Sequence, residues 1–151
     1  MMNFKLLSAL AFGIMTISAP LSAATYDCKI APKKTVTHYN GVTPTRMRVT
    51  IGSGGTVRVS DNIIRKSGRR SVDGTLGRKI GNVQLFNWRI SPVPRNMLPP
   101  TETKFYEPTV NYRARLDTRT GKFSMRGSFV TRESSANSGV NMQGFGKCRR
   151  V

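Results

Sequence analysis

Two alternating stretches joined by a turn, between residues 110 and 130, constrain the fold more than any other part of the sequence. Apolar or small residues occupy every second position from 110 to 116 and again from 123 to 129. A period of two is typical of strands with one buried face, and Asp-Thr-Arg-Thr-Gly at 117–121 is typical of a turn. Pairing Leu116 with Phe123 puts both apolar sets on the same face. The sequence therefore predicts a β-hairpin.

The N-terminal residues 1–24 predict a secretory signal peptide. Lys5 precedes an apolar run, and Ser22-Ala23-Ala24 supplies the small residues of a cleavage site. Pro20 interrupts the run before it reaches the length of a membrane-spanning helix, although an uncleaved anchor is the alternative. We therefore expect residues 25–151 to form a single domain that is periplasmic or secreted.

The mature chain is strongly basic. The full sequence has 25 lysines and arginines against 7 acidic residues, and removing Lys5 with the leader leaves a net charge of +17. Such a charge favours anionic partners, namely phosphate head groups, polyanionic glycans or extracellular nucleic acid. The alternative is that the charge only keeps a small exported protein in solution.

The two cysteines, Cys28 and Cys148, lie at opposite ends of the mature chain. In an oxidising compartment a pair at this spacing indicates a disulfide, because a metal site needs more ligands closer together. The bond would close a loop of about 120 residues. It would also place the first and last strands side by side, as in a barrel or a sandwich with paired terminal strands.

Further alternating segments indicate an all-β domain. Strands are predicted at residues 26–30, 46–51, 56–60, 83–90 and 140–148, with short ones at 35–39 and 103–107. Within residues 61–81, Asn62-Ile63-Ile64 could continue a strand or start one helical turn, and the six basic side chains that follow among serines and glycines predict a loop. About eight short strands with paired ends predict an antiparallel up-and-down β-barrel, and a β-sandwich is the alternative.

Four motifs give the chain a family resemblance. They are Tyr26-x-Cys28-x-Ile30-x-Pro32, Val57-x-Val59-x-Asp61-x-Ile63-Ile64, Tyr112-x-Ala114-x-Leu116 and Gly144-x-Gly146-x-Cys148. In these motifs the chain resembles a family of small exported bacterial single-disulfide β proteins of unknown function. The resemblance implies the disulfide and the exported location, and it supplies no functional residues.

No group of residues indicates catalysis. His38 is the only histidine, and no serine or cysteine lies in a nucleophile motif. Glu102 and Glu107 would point to opposite faces of a strand, whereas a glycosidase needs two carboxylates facing each other across a cleft. No cluster of ligands indicates a metal site. We therefore predict no enzymatic activity, no metal and no cofactor.

Arginines alternate with the predicted core residues and should point away from the core. In the predicted hairpin Arg113 faces Arg126, which costs stability because like charges oppose each other. Guanidinium groups suit phosphate and carboxylate ligands. The predicted anion-binding face consists of Arg46, Arg48, Arg58, Arg113, Arg115 and Arg126, with Arg69 and Arg70 as flexible accessories. The alternative is an ordinary solvated basic surface.

The function expected from these patterns is noncatalytic binding of an anionic envelope component by a monomer, through an anionic lipid head group or a glycan, with peripheral membrane contact. One alternative is a barrel that holds a small apolar ligand between Phe86, Trp88 and Tyr112. Another is an inhibitor of a cell-wall lytic enzyme, whose target would have to be acidic. Specific nucleic-acid binding is not expected, because no platform of aromatic and basic residues is present.

Overall fold

A computed structural model of the chain describes residues 23–33, 42–97, 108–130 and 142–151. Its eight strands are β1 Ala24–Pro32, β2 Arg46–Ile51, β3 Thr56–Asp61, β4 Val72–Ile80, β5 Val83–Ile90, β6 Thr109–Asp117, β7 Lys122–Val130 and β8 Met142–Arg150. Each strand pairs antiparallel with the next, and β8 pairs with β1 to close a barrel. The described residues also include a short helix, α1 (Asn62–Lys66), and a 3₁₀ turn at Arg95–Met97. The predicted up-and-down barrel is confirmed, and the sandwich is excluded.

The two ends of the barrel differ. One end, which we call the turn end, carries the tight turns at 52–55, 81–82 and 118–121. Strand β1 also begins there at Ala24, and the chain finishes there at Val151. The other end carries α1 and the longer connections, and we call it the helix end. The up-and-down order of the strands therefore places both ends of the described chain at the turn end.

The core follows the predicted alternation. The predicted inward residues that are confirmed as buried are Tyr26, Cys28, Ile30, Met47, Val49, Val57, Val59, Phe86, Trp88 and Ile90. The register of the β6–β7 hairpin is also confirmed, with Leu116 opposite Phe123. Ile51 is the exception, because it ends β2 beside the 52–55 turn and is only half-buried.

Large and small residues alternate across the interior. Trp88 and Tyr112 face each other on β5 and β6, and their rings stack with centroids 4.9 Å apart. Their outer partners in the same row are glycines, Gly74 beside Trp88 and Gly127 beside Tyr112. A Cβ at Gly127 would lie 3.0 Å from the Tyr112 ring, closer than a side chain tolerates. The glycines therefore provide the space that the two rings occupy.

The predicted disulfide is present. Cys28 and Cys148 are direct partners across β1 and β8, with Cα atoms 3.9 Å apart and a sequence separation of 120. The bond joins the two strands that close the barrel. A disulfide-bonded barrel of this kind is consistent with an oxidising location outside the cytoplasm.

The predicted loop at 61–81 is wrong. The Asp61 carboxylate accepts hydrogen bonds from the backbone N–H groups of Ile63 and Ile64, which begins α1, and both isoleucines are buried. The segment then continues into β4, a full strand of the barrel. The β4 alternation was hidden because its inward positions include Gly74, so burial against Trp88 replaced a recognisable apolar residue.

Several predictions fall outside the described residues. These are the leader up to residue 22, the short strands at 35–39 and 103–107, and the side chains His38 and Glu102. The last strand is described as Met142–Arg150, and residues 140–141 of its predicted span lie outside the described residues. Within the four described ranges, no helix is long and apolar enough to cross a membrane.

A tyrosine hydroxyl ties the barrel wall to the chain that leads into β2. Tyr112 Oη donates a hydrogen bond to the Val42 carbonyl at 2.6 Å, and both residues are fully buried. We expect Tyr112→Phe to lower the free energy of unfolding by about 2 kcal/mol, because the carbonyl is left buried without its donor. Urea unfolding measures this change. Tyr26→Phe is the control, because the Tyr26 hydroxyl has no hydrogen bond to the described residues, and an equal loss in both variants would contradict the assignment.

Candidate functional site: two basic grooves on the barrel wall

The predicted arginine set does not form one face. Arg46 and Arg48 lie on β2, whereas Arg113 and Arg115 lie on β6, four strands further around an eight-strand barrel. The prediction of a single basic face is therefore wrong, because closing the sheet turns its two halves away from each other. Arg58 belongs with the β2 side and Arg126 with the β6 side.

Two of the predicted arginines are engaged by carboxylates. Arg48 donates from Nε and Nη2 to the two Asp27 oxygens at 2.6 and 2.8 Å. This hydrogen-bonded pair lowers the pKa of Asp27 below its usual value. Arg58 Nε lies 3.3 Å from Asp73 Oδ1. These two arginines of the predicted set are therefore paired with carboxylates.

The predicted accessory arginines lie at the helix end. Arg69 donates from Nη2 to the Ser91 carbonyl at 2.5 Å, and its backbone N–H bonds to the Ile64 carbonyl at 3.2 Å. These bonds anchor Arg69 between α1 and β4, so it is not the flexible side chain that was predicted. Arg70 follows it as an exposed residue. Neither residue lines the grooves described next.

A groove of about 590 Å³ lies on the outer wall across strands β4 to β8. We call it the arginine groove. Its principal outward side chains are Leu85, Asn87, Arg113, Arg115, Ser124, Arg126, Gln143 and Phe145. Its lining contains three arginines and no carboxylate. The second half of the predicted arginine set is therefore brought together.

Strand register arranges these side chains in two lateral rows. In the first row Arg113 lies directly opposite Arg126, with Asn87 beyond one and Gln143 beyond the other. In the second row Leu85, Arg115, Ser124 and Phe145 follow one another across β5 to β8. One row is thus polar and cationic throughout, and the other has an apolar residue at each end.

The first row is electrostatically costly. Arg113 and Arg126 are direct cross-strand neighbours of like charge, an arrangement that destabilises a sheet. Within the described ranges neither arginine nor Arg115 has an ion pair. Phe145 is 52% exposed beside them. The groove can therefore offer guanidinium donors to a phosphate or carboxylate group while the phenyl ring packs against an apolar part of the same ligand.

A second groove, of about 920 Å³, lies over the seam between β8 and β1. We call it the seam groove. Its charged residues are Asp27, Lys29, Arg46, Arg48, Arg65, Lys147 and Arg149. It holds more cations than the arginine groove, but Asp27 neutralises Arg48. Of the other five cations, two are lysines with flexible stems and one, Arg65, lies on α1.

The interior offers no comparable ligand site in the described residues. The three aromatic residues predicted to line a cavity stack on one another instead, with Phe86 and Trp88 centroids 5.8 Å apart. Their rings occupy the space that a ligand would need. No group of three or more potential metal ligands occurs among the described residues.

A carboxyl group is buried in this interior. Asp61 has no exposed surface, and burial raises its pKa from 3.8 to about 6, although the N–H groups of Ile64 and Ile63 partly offset the shift. Asp61 Oδ2 and Trp88 Nε1 lack hydrogen-bond partners among the described residues, and the indole dipole lowers the Asp61 pKa slightly. The carboxylate therefore serves as the cap of α1 at an electrostatic cost.

Sequence reasoning missed Phe145, Leu85 and the basic residues of β8. The cysteine pair contained the information needed to place the outward residues of β8. If Cys148 points inward, then every odd-numbered residue of β8 points outward, including Phe145 and Lys147. Extending the register from the disulfide would have placed Phe145 beside Ser124.

Comparison with known proteins adds no assignment to this geometry. No family model, no curated protein and no solved structure matches the chain. The resemblance to exported single-disulfide β proteins therefore stays a prediction from the four sequence motifs.

Proposed function

We propose that this protein is a noncatalytic binding protein of the periplasm or the extracellular space, and that its ligand is a phosphate-bearing component of the cell envelope. The phosphate belongs to a lipid head group or to a glycan and is bound in the arginine groove. Arg113, Arg115 and Arg126 donate to the phosphate oxygens, and Phe145 packs against the adjoining apolar surface of the ligand.

The observation that carries the proposal is the unneutralised Arg113–Arg126 pair. A barrel that needed only solubility could separate these charges or face one of them with a carboxylate, as Arg48 is faced by Asp27. The pair instead stays opposed, next to an exposed aromatic ring. An anion bound between the two guanidinium groups would remove the repulsion, which is the general reason for arginine clusters at phosphate sites.

The test is charge reversal at the pair. We expect Arg113→Glu with Arg126→Glu to weaken binding on the order of a hundredfold at 0.15 M salt. This estimate starts from a binding contribution of about 1 kcal/mol for each basic residue near an anionic surface. Replacing arginine by glutamate doubles the change in charge and therefore the loss, and screening by salt then reduces that loss. Binding is measured with two probes, vesicles of phosphatidylglycerol and phosphatidylcholine and a soluble phosphorylated oligosaccharide. Loss with both probes indicates that phosphate itself is recognised, and loss with only one identifies its source.

Two control variants separate this site from general charge. Arg46→Glu with Lys147→Glu makes the same change of net charge in the seam groove and should leave most of the binding intact. Arg126→Glu alone places a carboxylate opposite Arg113 and should stabilise the fold by several tenths of a kcal/mol, about the value of a cross-strand ion pair, while still weakening binding. Equal losses in both double variants would contradict a specific groove.

A further inference from the structure

The turn end of the barrel combines exposed apolar side chains with basic ones. Ile80 is 48% exposed at the end of β4, and Val151 is 59% exposed at the end of the chain. Around them lie the exposed cations Arg78, Lys79, Arg119 and Arg150. We call these six residues the rim. They do not belong to the arginine groove.

Hydrogen bonds join the rim elements into one platform. The Asn82 carbonyl in the β4–β5 turn accepts from Thr118 N at 2.9 Å and from Thr118 Oγ1 at 3.0 Å. The Gly121 carbonyl in the β6–β7 turn accepts from Cys148 N at 2.8 Å, and Val151 N donates to Thr25. The turns and the chain terminus are thus fixed relative to one another before any ligand binds, which lowers the entropy cost of binding.

The rim also has little negative charge. Asp117 ends β6 two residues before Arg119, and its Oδ1 accepts hydrogen bonds from Arg119 N and Thr120 N. The Asp117 carboxylate is therefore hydrogen-bonded to the backbone of its own turn. The cations around Ile80 have no ion pair among the described residues. A flat anionic surface would meet four positive charges with no acidic side chain presented against it.

We propose that the barrel docks end-on to an anionic phospholipid membrane, with the rim against the surface. The four cations lie at the level of the phosphates, and Ile80 enters the boundary between head groups and acyl chains. Basic residues beside exposed aliphatic ones suit this interface, because the charges gain from anionic lipid while the apolar groups leave water. This surface is separate from the groove of the proposed function.

The decisive experiment compares Ile80→Asp with Val130→Asp on vesicles of phosphatidylglycerol and phosphatidylcholine. Val130 is 39% exposed and ends β7 at the helix end, so both variants lose an exposed aliphatic residue and gain one negative charge. Ile80→Asp should lower the partition coefficient at least about tenfold, because it removes an inserted group and repels the surface. Val130→Asp should change it less than about twofold, which is the range of an added charge far from the surface.

Insertion can be observed directly with tryptophan probes. In Ile80→Trp the added indole should be quenched by brominated acyl chains in vesicles, whereas in Val130→Trp it should not. Equal quenching in the two proteins, or equal partition of the two aspartate variants, would overturn the end-on arrangement. Absence of binding by the unaltered protein to anionic vesicles at low salt would overturn it as well.

The outcomes for rim and groove are distinguishable. Ile80→Asp should keep full affinity for the soluble phosphorylated oligosaccharide, because the rim does not line the groove. If the groove variant Arg113→Glu with Arg126→Glu retains binding to both the oligosaccharide and the vesicles while Ile80→Asp loses membrane binding, then the rim proposal stands and the proposed function fails. If the groove variant loses binding to the oligosaccharide while Ile80→Asp keeps full membrane binding, then the proposed function is supported and the rim proposal is contradicted.

Discussion

Removing the disulfide, by changing Cys28→Ala with Cys148→Ala, should lower the free energy of unfolding by about 4 to 5 kcal/mol. The bond closes a loop with a sequence separation of 120, and the chain-entropy model assigns the largest stabilisation to long loops. Domains of this size have total stabilities of about 5 to 15 kcal/mol, so the loss is a large part of the whole. The corresponding decrease in Tm is about 15 °C.

Urea unfolding of the variant and of the oxidised protein measures this difference. A second measurement on the unaltered chain, with and without a thiol reductant, covers the case in which the variant does not fold. The strand pairing of β1 with β8 remains in both experiments, so the difference reports the covalent bond rather than the sheet. A change of less than about 1 kcal/mol would show that the unfolded chain gains little freedom when the bond is removed.

Replacing the buried carboxylate, by Asp61→Asn, should abolish a fall in stability with rising pH. The folded-state pKa of Asp61 is raised from 3.8 to about 6, so between these values the folded protein holds a proton that the unfolded chain has released. Stability is therefore complete below about pH 4 and is lost as pH rises through 6. The full loss is about 3 kcal/mol, of which about 2 kcal/mol falls between pH 4.5 and 7.

Asparagine is the informative substitution, because its Oδ1 can still accept the two backbone N–H bonds of Ile63 and Ile64 without carrying charge. Unfolding free energies measured from pH 4.5 to 7 should fall for the unaltered protein and stay level for the variant. Every other ionisable group is the same in both proteins, so the difference between the two curves isolates Asp61. Parallel curves would show that Asp61 keeps an ordinary pKa in the fold.

Most of the barrel was predictable because alternation is a local signal in each strand and the cysteine pair indicated that the first and last strands meet. The β6–β7 hairpin has apolar residues at every second position, and its register followed directly. Strand β4 was not predictable in the same way, because Gly74 takes an inward position opposite Trp88, where a Cβ would collide with the Asn87 backbone oxygen. The signal for that strand lies in its neighbour, which a window on the segment itself does not contain.

The candidate site was predictable only in part. Alternation showed that Arg113, Arg115 and Arg126 point outward, and the hairpin register brought them together. Alternation alone did not show that Arg48 meets Asp27, because that contact depends on the register between β1 and β2, which no hairpin motif in the sequence defines. It also did not show that barrel closure separates β2 from β6. Outward direction is a local property, whereas neighbourhood around a closed sheet depends on the order of all eight strands.

The seam between β1 and β8 has a consequence for the order in which the sheet can form. Every other pair of neighbouring strands is also consecutive along the chain, so each can form as soon as its second strand is available. The seam alone joins two strands that are far apart in sequence, Ala24–Pro32 and Met142–Arg150. Until these two strands pair, β1 and β7 present open edges that can pair with another chain. A chain cut short before Met142 would therefore keep both edges open and be prone to aggregate, however well its other strands had folded.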